Sequence, residues 1–262
     1  MKILRHASVF SAMSAVIAAL ALANAPRLPL QNDGPPPIEG RVKTILESMN
    51  AFLTERDQFR FEAHVTYDRT APSGQLLETH EVHDVAVQRP GSLRATVLGQ
   101  DGARVAFAHD GTLTIADPLR AKFFQAEVPE QLDEVVDVMI VDLGLALPNA
   151  DFVSNDPMRS LTSSVTRSEY VGIAMVDGEP CHHLAFAQEG LEWQLWVSAE
   201  LQPVPRRLSM HYIDQPSSPR FTASLQWMFD EARYPELAFG FTPSERMTRV
   251  ETIDAILGKE TK

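Results

Sequence analysis

Cysteine is almost absent from this chain, since Cys181 is the only one among 262 residues. A single cysteine cannot form an intramolecular disulfide, so the fold must be stabilised by a buried core, which a chain of this length can build. Positive charge is also scarce, because 23 Lys and Arg face 35 Asp and Glu and the formal net charge is −12. This deficit argues against nucleic acid as a partner and against attachment to anionic lipid through a basic patch.

Only one apolar run, near the amino terminus, approaches the length of a signal or membrane segment. It covers residues 9–23, follows two basic residues and ends among small residues that suit a cleavage site. Because a membrane-spanning helix needs ~20 apolar residues, the pattern predicts a signal peptide over residues 1–25 and export to the periplasm, with no membrane-spanning segment. The Pro-rich residues 26–37 are predicted to form an extended or disordered leader.

Alternation of polar and apolar residues dominates the rest of the chain. It is clearest from Phe59 to Asp68, and turn dipeptides such as Asp177-Gly178 separate successive alternating runs. Short strands joined by such turns indicate an antiparallel sheet and not βαβ units. The fold class is therefore predicted to be mainly antiparallel β, of the α+β type, in a single domain over residues 38–250, with residues 251–262 as a C-terminal tail.

Two segments have helical periodicity instead. Residues 38–54 repeat apolar side chains at i, i+3, i+4 and i+7, which predicts an amphipathic N-terminal helix. The insertion at residues 129–164 interrupts the strand pattern with apolar residues at helical spacing, and it predicts a helical lid or plug over the sheet. The apolar face of this lid is predicted to comprise Leu132, Val135, Val136 and Met139.

Motifs for catalysis and metal binding are weak. The chain has neither a Gly-x-Ser-x-Gly elbow nor a glycine-rich phosphate loop, and scattered carboxylates form no distinctive pair. In the segment Cys181-His182-His183, strand alternation places Cys181 and His183 on one face and His182 on the other. A metal site would need two more ligands from distant segments. We therefore expect no enzyme activity, no cofactor and no metal.

Several short motifs resemble those of the DUF2092 family of predicted periplasmic proteins. The most specific is Cys181-His182-His183-Leu184, and it is accompanied by Val176-Asp177-Gly178, Trp193-Gln194-Leu195-Trp196 and Pro205-Arg206-Arg207-Leu208. The resemblance implies a fold similar to the LolA/LolB-like lipoprotein carriers, an unclosed half-barrel whose mouth is plugged by helices. In those carriers the concave apolar face binds acyl chains and an arginine helps to hold the lid, and Arg206 and Arg207 are candidates for that arginine.

The leading hypothesis is a non-enzymatic periplasmic protein that binds a lipid or a lipoprotein acyl chain in a half-barrel of about eleven strands. An alternative from another class is an envelope-stress sensor or interaction protein that recognises a protein partner through the same sheet. A weaker alternative is a hydrolase or metal protein that uses His183. The candidate cavity-lining residues are Phe61, Val65, Phe107, Leu113, Phe123, Trp193, Leu195 and Trp227.

Overall fold

The computed structural model describes residues 38–147, 149–229, 234–235 and 238–258. The predicted signal peptide and Pro-rich leader lie outside the described residues. Among the residues described, no helix is both long and apolar enough to span a membrane.

The described chain contains one long helix, twelve strands and a helical insertion. Helix α1 is Gly40–Thr54. Between β6 and β7 lie α2 (Leu132–Asp137), a π-helical turn (Val138–Asp142), a 3-10 turn (Ala150–Val153) and α3 (Pro157–Thr162), and α4 (Asp254–Leu257) follows the last strand. The strands are β1 Gln58–Thr70, β2 Leu76–Gln88, β3 Ser92–Gly99, β4 Gly102–His109, β5 Thr112–Asp117, β6 Lys122–Glu127, β7 Arg167–Val176, β8 Glu179–Gln188, β9 Leu191–Ser198, β10 Pro205–Tyr212, β11 Arg220–Met228 and β12 Thr248–Val250.

All strands belong to one sheet in the order β12-β6-β5-β4-β3-β2-β1-β11-β10-β9-β8-β7. Two meanders, β1 to β6 and β7 to β11, are joined where β1 pairs with β11 in antiparallel register, with Phe61 opposite Trp227. The pairing of β12 with β6 is parallel. The sheet does not close, because β7 and β12 are its two ends. The predicted antiparallel half-barrel is confirmed, with twelve strands in place of eleven.

The face that α1 covers, here called the inner face, forms the main core. Along β1 the inner positions Phe59, Phe61, Ala63 and Val65 are at most 2% exposed. Helix α1 buries Val42, Ile45, Leu46, Met49 and Leu53, the i, i+3, i+4, i+7 spacing that the sequence contains. Burying one such side chain contributes ~1.5–3 kcal/mol. The helix therefore fills a large part of the half-barrel.

The C-terminal segment covers the opposite side of the sheet, here called the outer face. Phe241 packs its ring 5.5 Å from the ring of Phe107 and 5.3 Å from that of Phe123. The chain then adds β12 beside β6, and the short helix α4 buries Ile256 completely in the core. Helix α4 lies in the region that the sequence assigned to a C-terminal tail.

Candidate functional site

A cavity of about 370 Å³ lies between the helical insertion and the inner-face ends of β8, β9 and β10. We call it the lid cavity. Apolar side chains from both sides line it, and polar groups from the same elements lie among them. The apolar lining includes Val136, Ile140, Leu161, Leu191, Trp193 and Met210, and the polar lining includes Asp151, Ser160, Ser164, Gln188 and Tyr212.

Strand register positions the aromatic wall of the cavity. Trp193 on β9 pairs with Phe186 on β8 and Met210 on β10, so all three side chains share the inner face. The rings of Trp193 and Phe186 stack at 3.9 Å between centroids with an interplanar angle of 13°. The indole Nε1 donates a hydrogen bond to Gln188 Oε1 at 3.2 Å. The indole ring is therefore fixed both by stacking on Phe186 and by the hydrogen bond from its Nε1.

Burial disfavours the charged form of two polar groups that line the cavity. Burial raises the pKa of Asp151, although a hydrogen bond from the Ser160 hydroxyl partly offsets this. Burial and the nearby Asp151 carboxylate raise the pKa of Tyr212 to about 12. The hydroxyl of Ser164 is buried without a hydrogen-bond partner in the described part of the chain. Buried polar atoms normally have a hydrogen-bond partner. The hydrogen-bonding capacity of the Ser164 hydroxyl is therefore not used within the described part of the chain.

Arg89, which follows β2, anchors the segment 153–155 of the insertion. Its guanidinium donates to Asn155 Oδ1 at 2.8 Å, to the Ser154 carbonyl at 3.1 Å and to the Val153 carbonyl at 3.3 Å. Burial lowers the pKa of Arg89, while the carboxylates of Asp133 and Asp57 raise it. Arg89 therefore joins the strand directly to the lid.

The near end of the insertion is fixed beside Arg89. The Leu132 amide donates to the Pro90 carbonyl at 3.0 Å. A Cβ on Gly91 would lie 1.9 Å from the Glu130 carbonyl oxygen, so only glycine allows this close approach. The start of the lid and its segment 153–155 thus meet the sheet at the same turn.

Neither of the arginines considered from the sequence contacts the lid. Arg206 pairs with Glu179 at 2.9 Å. Arg207 lies on the outer face, where it contacts Ser224 Oγ at 3.4 Å. Nothing in the local sequence of Arg89 distinguishes it, because its partners follow it by more than sixty positions.

The predicted lid residues lie mostly in the core below the cavity. Leu132, Val135 and Met139 are at most 1% exposed, and Val136 is 9% exposed. Of the four, Val136 lines the lid cavity. The helix is shorter than the pattern predicted, because α2 ends at Asp137 and continues as a π-helical turn.

The predicted cavity-lining residues fall into three groups. Trp193 lines the lid cavity. Phe107 and Phe123 lie on the outer face against Phe241 and not on the cavity side. The remaining five lie on the inner face in the packed core, away from the lid cavity: Phe61, Val65, Leu113, Leu195 and Trp227.

The cysteine and histidines lie outside the lid cavity. The register places Cys181 opposite Ser198 and His183 opposite Trp196 on the outer face, with His182 on the inner face, as alternation predicted. Burial raises the pKa of the Cys181 thiol to about 11, which keeps it protonated and unreactive near neutral pH.

His183 has structural partners. Its ring stacks on Trp196 at 4.3 Å, and its Nε2 contacts Gln194 Oε1 at 2.8 Å. In the described ranges, no three His, Cys, Asp or Glu side chains are placed together to hold a metal ion.

Residues 42–253 match the family described as predicted periplasmic proteins, DUF2092. The chain belongs to this family. The family description confirms the predicted periplasmic location. A search of curated proteins found no match to the sequence.

The solved structures that are similar to this chain include the following three. A LolA superfamily protein from Nitrosomonas europaea is 11% identical with a TM-score of 0.40, and the match covers 76% of this DUF2092 chain and 97% of that chain. The lipoprotein LppX from Mycobacterium tuberculosis is 11% identical with a TM-score of 0.43, over 73% and 98% of the two chains. MucB in complex with MucA(peri) is 16% identical with a TM-score of 0.38, over 76% of this chain and 59% of that one.

Proposed function

We propose that this DUF2092 protein is a non-enzymatic periplasmic binding protein that takes a lipid or lipoprotein acyl chain into the lid cavity. The observation that carries the proposal is the cavity of about 370 Å³ between the insertion and β8 to β10, which has apolar side chains such as Ile140, Leu191 and Trp193 on its wall together with polar and charged groups. Small-molecule sites of ~300–1,000 Å³ combine apolar side chains with polar groups that orient the ligand.

The way the lid is attached supports a cavity that can change its volume. The start of the insertion and its segment 153–155 are fixed to the turn after β2 by Pro90 and Arg89. Between these two attachment points the insertion consists of short helical pieces separated by irregular chain. Short helices held at their ends can shift against a sheet more easily than one continuous helix. A chain longer than the resting cavity would be accommodated by such a shift.

Saturable binding of the apolar dye N-phenyl-1-naphthylamine tests the proposal, together with native mass spectrometry of protein purified from its own periplasm. We expect one dye site per chain and a co-purifying lipid. The variant Ala150→Phe fills the cavity, since Ala150 lines it, and should abolish dye binding. Ala199→Phe, at an exposed turn, adds the same bulk elsewhere and should not. Absence of saturable binding to the unmodified protein would overturn the proposal.

A second candidate is recognition of a protein partner, and the edge strand β7 favours it. Val171, Ile173 and Met175 on β7 are 51%, 55% and 65% exposed. An exposed apolar row on an edge strand is the kind of surface that an added strand covers. If this candidate holds, Ile173→Lys should abolish capture of an envelope partner by the purified protein, whereas Ala150→Phe should leave it intact.

A further inference from the structure

We propose that the lid cavity selects amphiphiles whose head group is a positively charged amine. This inference rests on the proposed function and names the class of ligand for the same site. The lid cavity has four carboxylates in its lining and one guanidinium, Arg159, and neither lysine nor histidine lines it. The carboxylates belong to Asp133, Asp137, Asp151 and Asp156.

Three of these carboxylates accept hydrogen bonds from neutral groups, and the nearby Arg89 guanidinium partly compensates the charge of Asp133. Asp133 accepts from the Asn155 amide at 2.8 Å, and Asp156 accepts from the Arg159 amide at 3.1 Å. Asp151 accepts from the Ser160 hydroxyl. All three donors are neutral groups. Asp137 is exposed and has no hydrogen-bond or ion-pair partner within the part of the chain that the structure describes.

A separate observation indicates that a polar end of a ligand belongs at this part of the cavity. The Ser164 hydroxyl lines the cavity and is buried without a partner. Buried polar groups normally find partners in protein or in bound molecules. An ammonium head group would donate a hydrogen bond to the Ser164 hydroxyl oxygen.

The sign of the preferred charge follows from electrostatics. The four carboxylates outnumber the two guanidiniums of Arg159 and, beside Asp133, Arg89. A cation is therefore attracted, and an anionic head group such as a carboxylate or a phosphate is repelled, most strongly where water is excluded. The net charge of −12 also attracts a cationic amphiphile and repels an anionic one while the amphiphile approaches the protein. The apolar walls, with Trp193 and Met210 among them, would hold the alkyl part in either case.

Three decyl amphiphiles test the inference at pH 7 and low ionic strength, each by displacement of N-phenyl-1-naphthylamine below micelle-forming concentrations. They are decylammonium, decanol and decanoate, which share the chain and differ in head-group charge. We expect the cation to bind roughly threefold or more tightly than the alcohol, and the carboxylate more weakly than both. Raising the salt concentration to ~1 M should reduce the difference, because the Debye length falls to ~3 Å.

A matched pair of variants separates a local effect from a change in net charge. Asp137→Asn should weaken binding of the cation by roughly twofold and leave decanol unchanged. Asp142→Asn removes the same charge from the end of the same helical segment, but Asp142 does not line the cavity. This variant should therefore bind the cation and decanol as tightly as the unmodified protein does. Equal affinity for cation and alcohol, or equal effects of the two variants, would overturn the inference alone. Failure of all three amphiphiles to displace the dye would overturn the proposed function as well.

Discussion

The two meanders of the sheet share one inner face but use it differently. On β1 the inner face is packed into the core together with side chains of α1, and Phe59, Phe61 and Leu46 are fully buried. On β8 to β10 the insertion covers the inner face less completely and leaves the lid cavity, where Asp151 and Tyr212 lie among apolar side chains. A well-packed region stabilises the fold, whereas a region with a cavity and unsatisfied polar groups is typical of a binding site.

The largest expected effect tests the packed region. Phe61→Ala should lower the free energy of unfolding by about 3–5 kcal/mol, because Phe61 is fully buried and its ring lies 4.9 Å from that of Trp227. Met210→Ala, in the wall of the lid cavity, should lower it by less than half as much, because Met210 is already beside empty space. Urea denaturation measures both. Equal losses would show that the two regions are equally well packed.

Removal of the lid anchor should have the next largest effect. Arg89→Ala deletes the hydrogen bonds to the segment Val153 to Asn155, and hydrogen bonds from a charged donor contribute about 1.5–3 kcal/mol. We expect faster amide exchange across residues 150–162 and little change in α1. Arg94→Ala removes an exposed arginine and serves as the control. Unchanged protection of residues 150–162 would contradict a role for Arg89 in holding the lid.

The pH dependence of stability should differ in sign between the two regions. Burial raises the pKa of Asp151 in the folded protein, so its contribution to stability is greatest below the unfolded pKa and is lost as the pH rises through the folded pKa. Asp151→Asn should therefore stabilise the protein at pH 7 by roughly 1 kcal/mol, and the gain should disappear near pH 3. A destabilised variant at pH 7 would contradict this.

Glu81, on β2, is a carboxylate whose pKa is shifted in the direction opposite to that of Asp151. Burial opposes its ionisation, but hydrogen bonds from His83 and Tyr67 outweigh burial and lower its pKa. Its contribution to stability is therefore present above the unfolded pKa and is lost as the pH falls through the folded pKa. Glu81→Gln should lower stability at pH 7 by about 1–2 kcal/mol, with the loss decreasing in acid. Denaturation of the variant and the unmodified protein over pH 3–7 compares the two carboxylates directly.

The smallest effect concerns the outer face. Phe123→Leu should cost about 1 kcal/mol, because Phe123 packs against Phe241 on that face. Its dye binding should equal that of the unmodified protein. Weakened binding would place Phe123 close to the ligand and would contradict the separation of the two faces.

Much of the fold follows from local patterns. The apolar spacing in residues 38–54 corresponds to α1, which begins at Gly40. Alternation correctly separated His182 from Cys181 and His183. These features are predictable because a helix or strand fixes the relative direction of neighbouring side chains through its own geometry.

The cavity could not be predicted in the same way. Phe107 and Phe123 each stand beside other apolar residues, so alternation assigns them to a face without showing that this face is the outer one. The chain reveals neither that β1 pairs with β11 nor that Arg89 reaches residues 153–155, because these contacts join positions far apart in sequence.

Residue types and short spacings predicted most of the helices and strands, the acidic charge and the family. The position of the empty space depends instead on how these elements pack. Side chains of α1 join the core in one part of the inner face, and the insertion leaves about 370 Å³ beneath it in another. The size of a cavity is the difference between the volume that the backbone encloses and the volume that the side chains fill, and both depend on the complete arrangement of the chain.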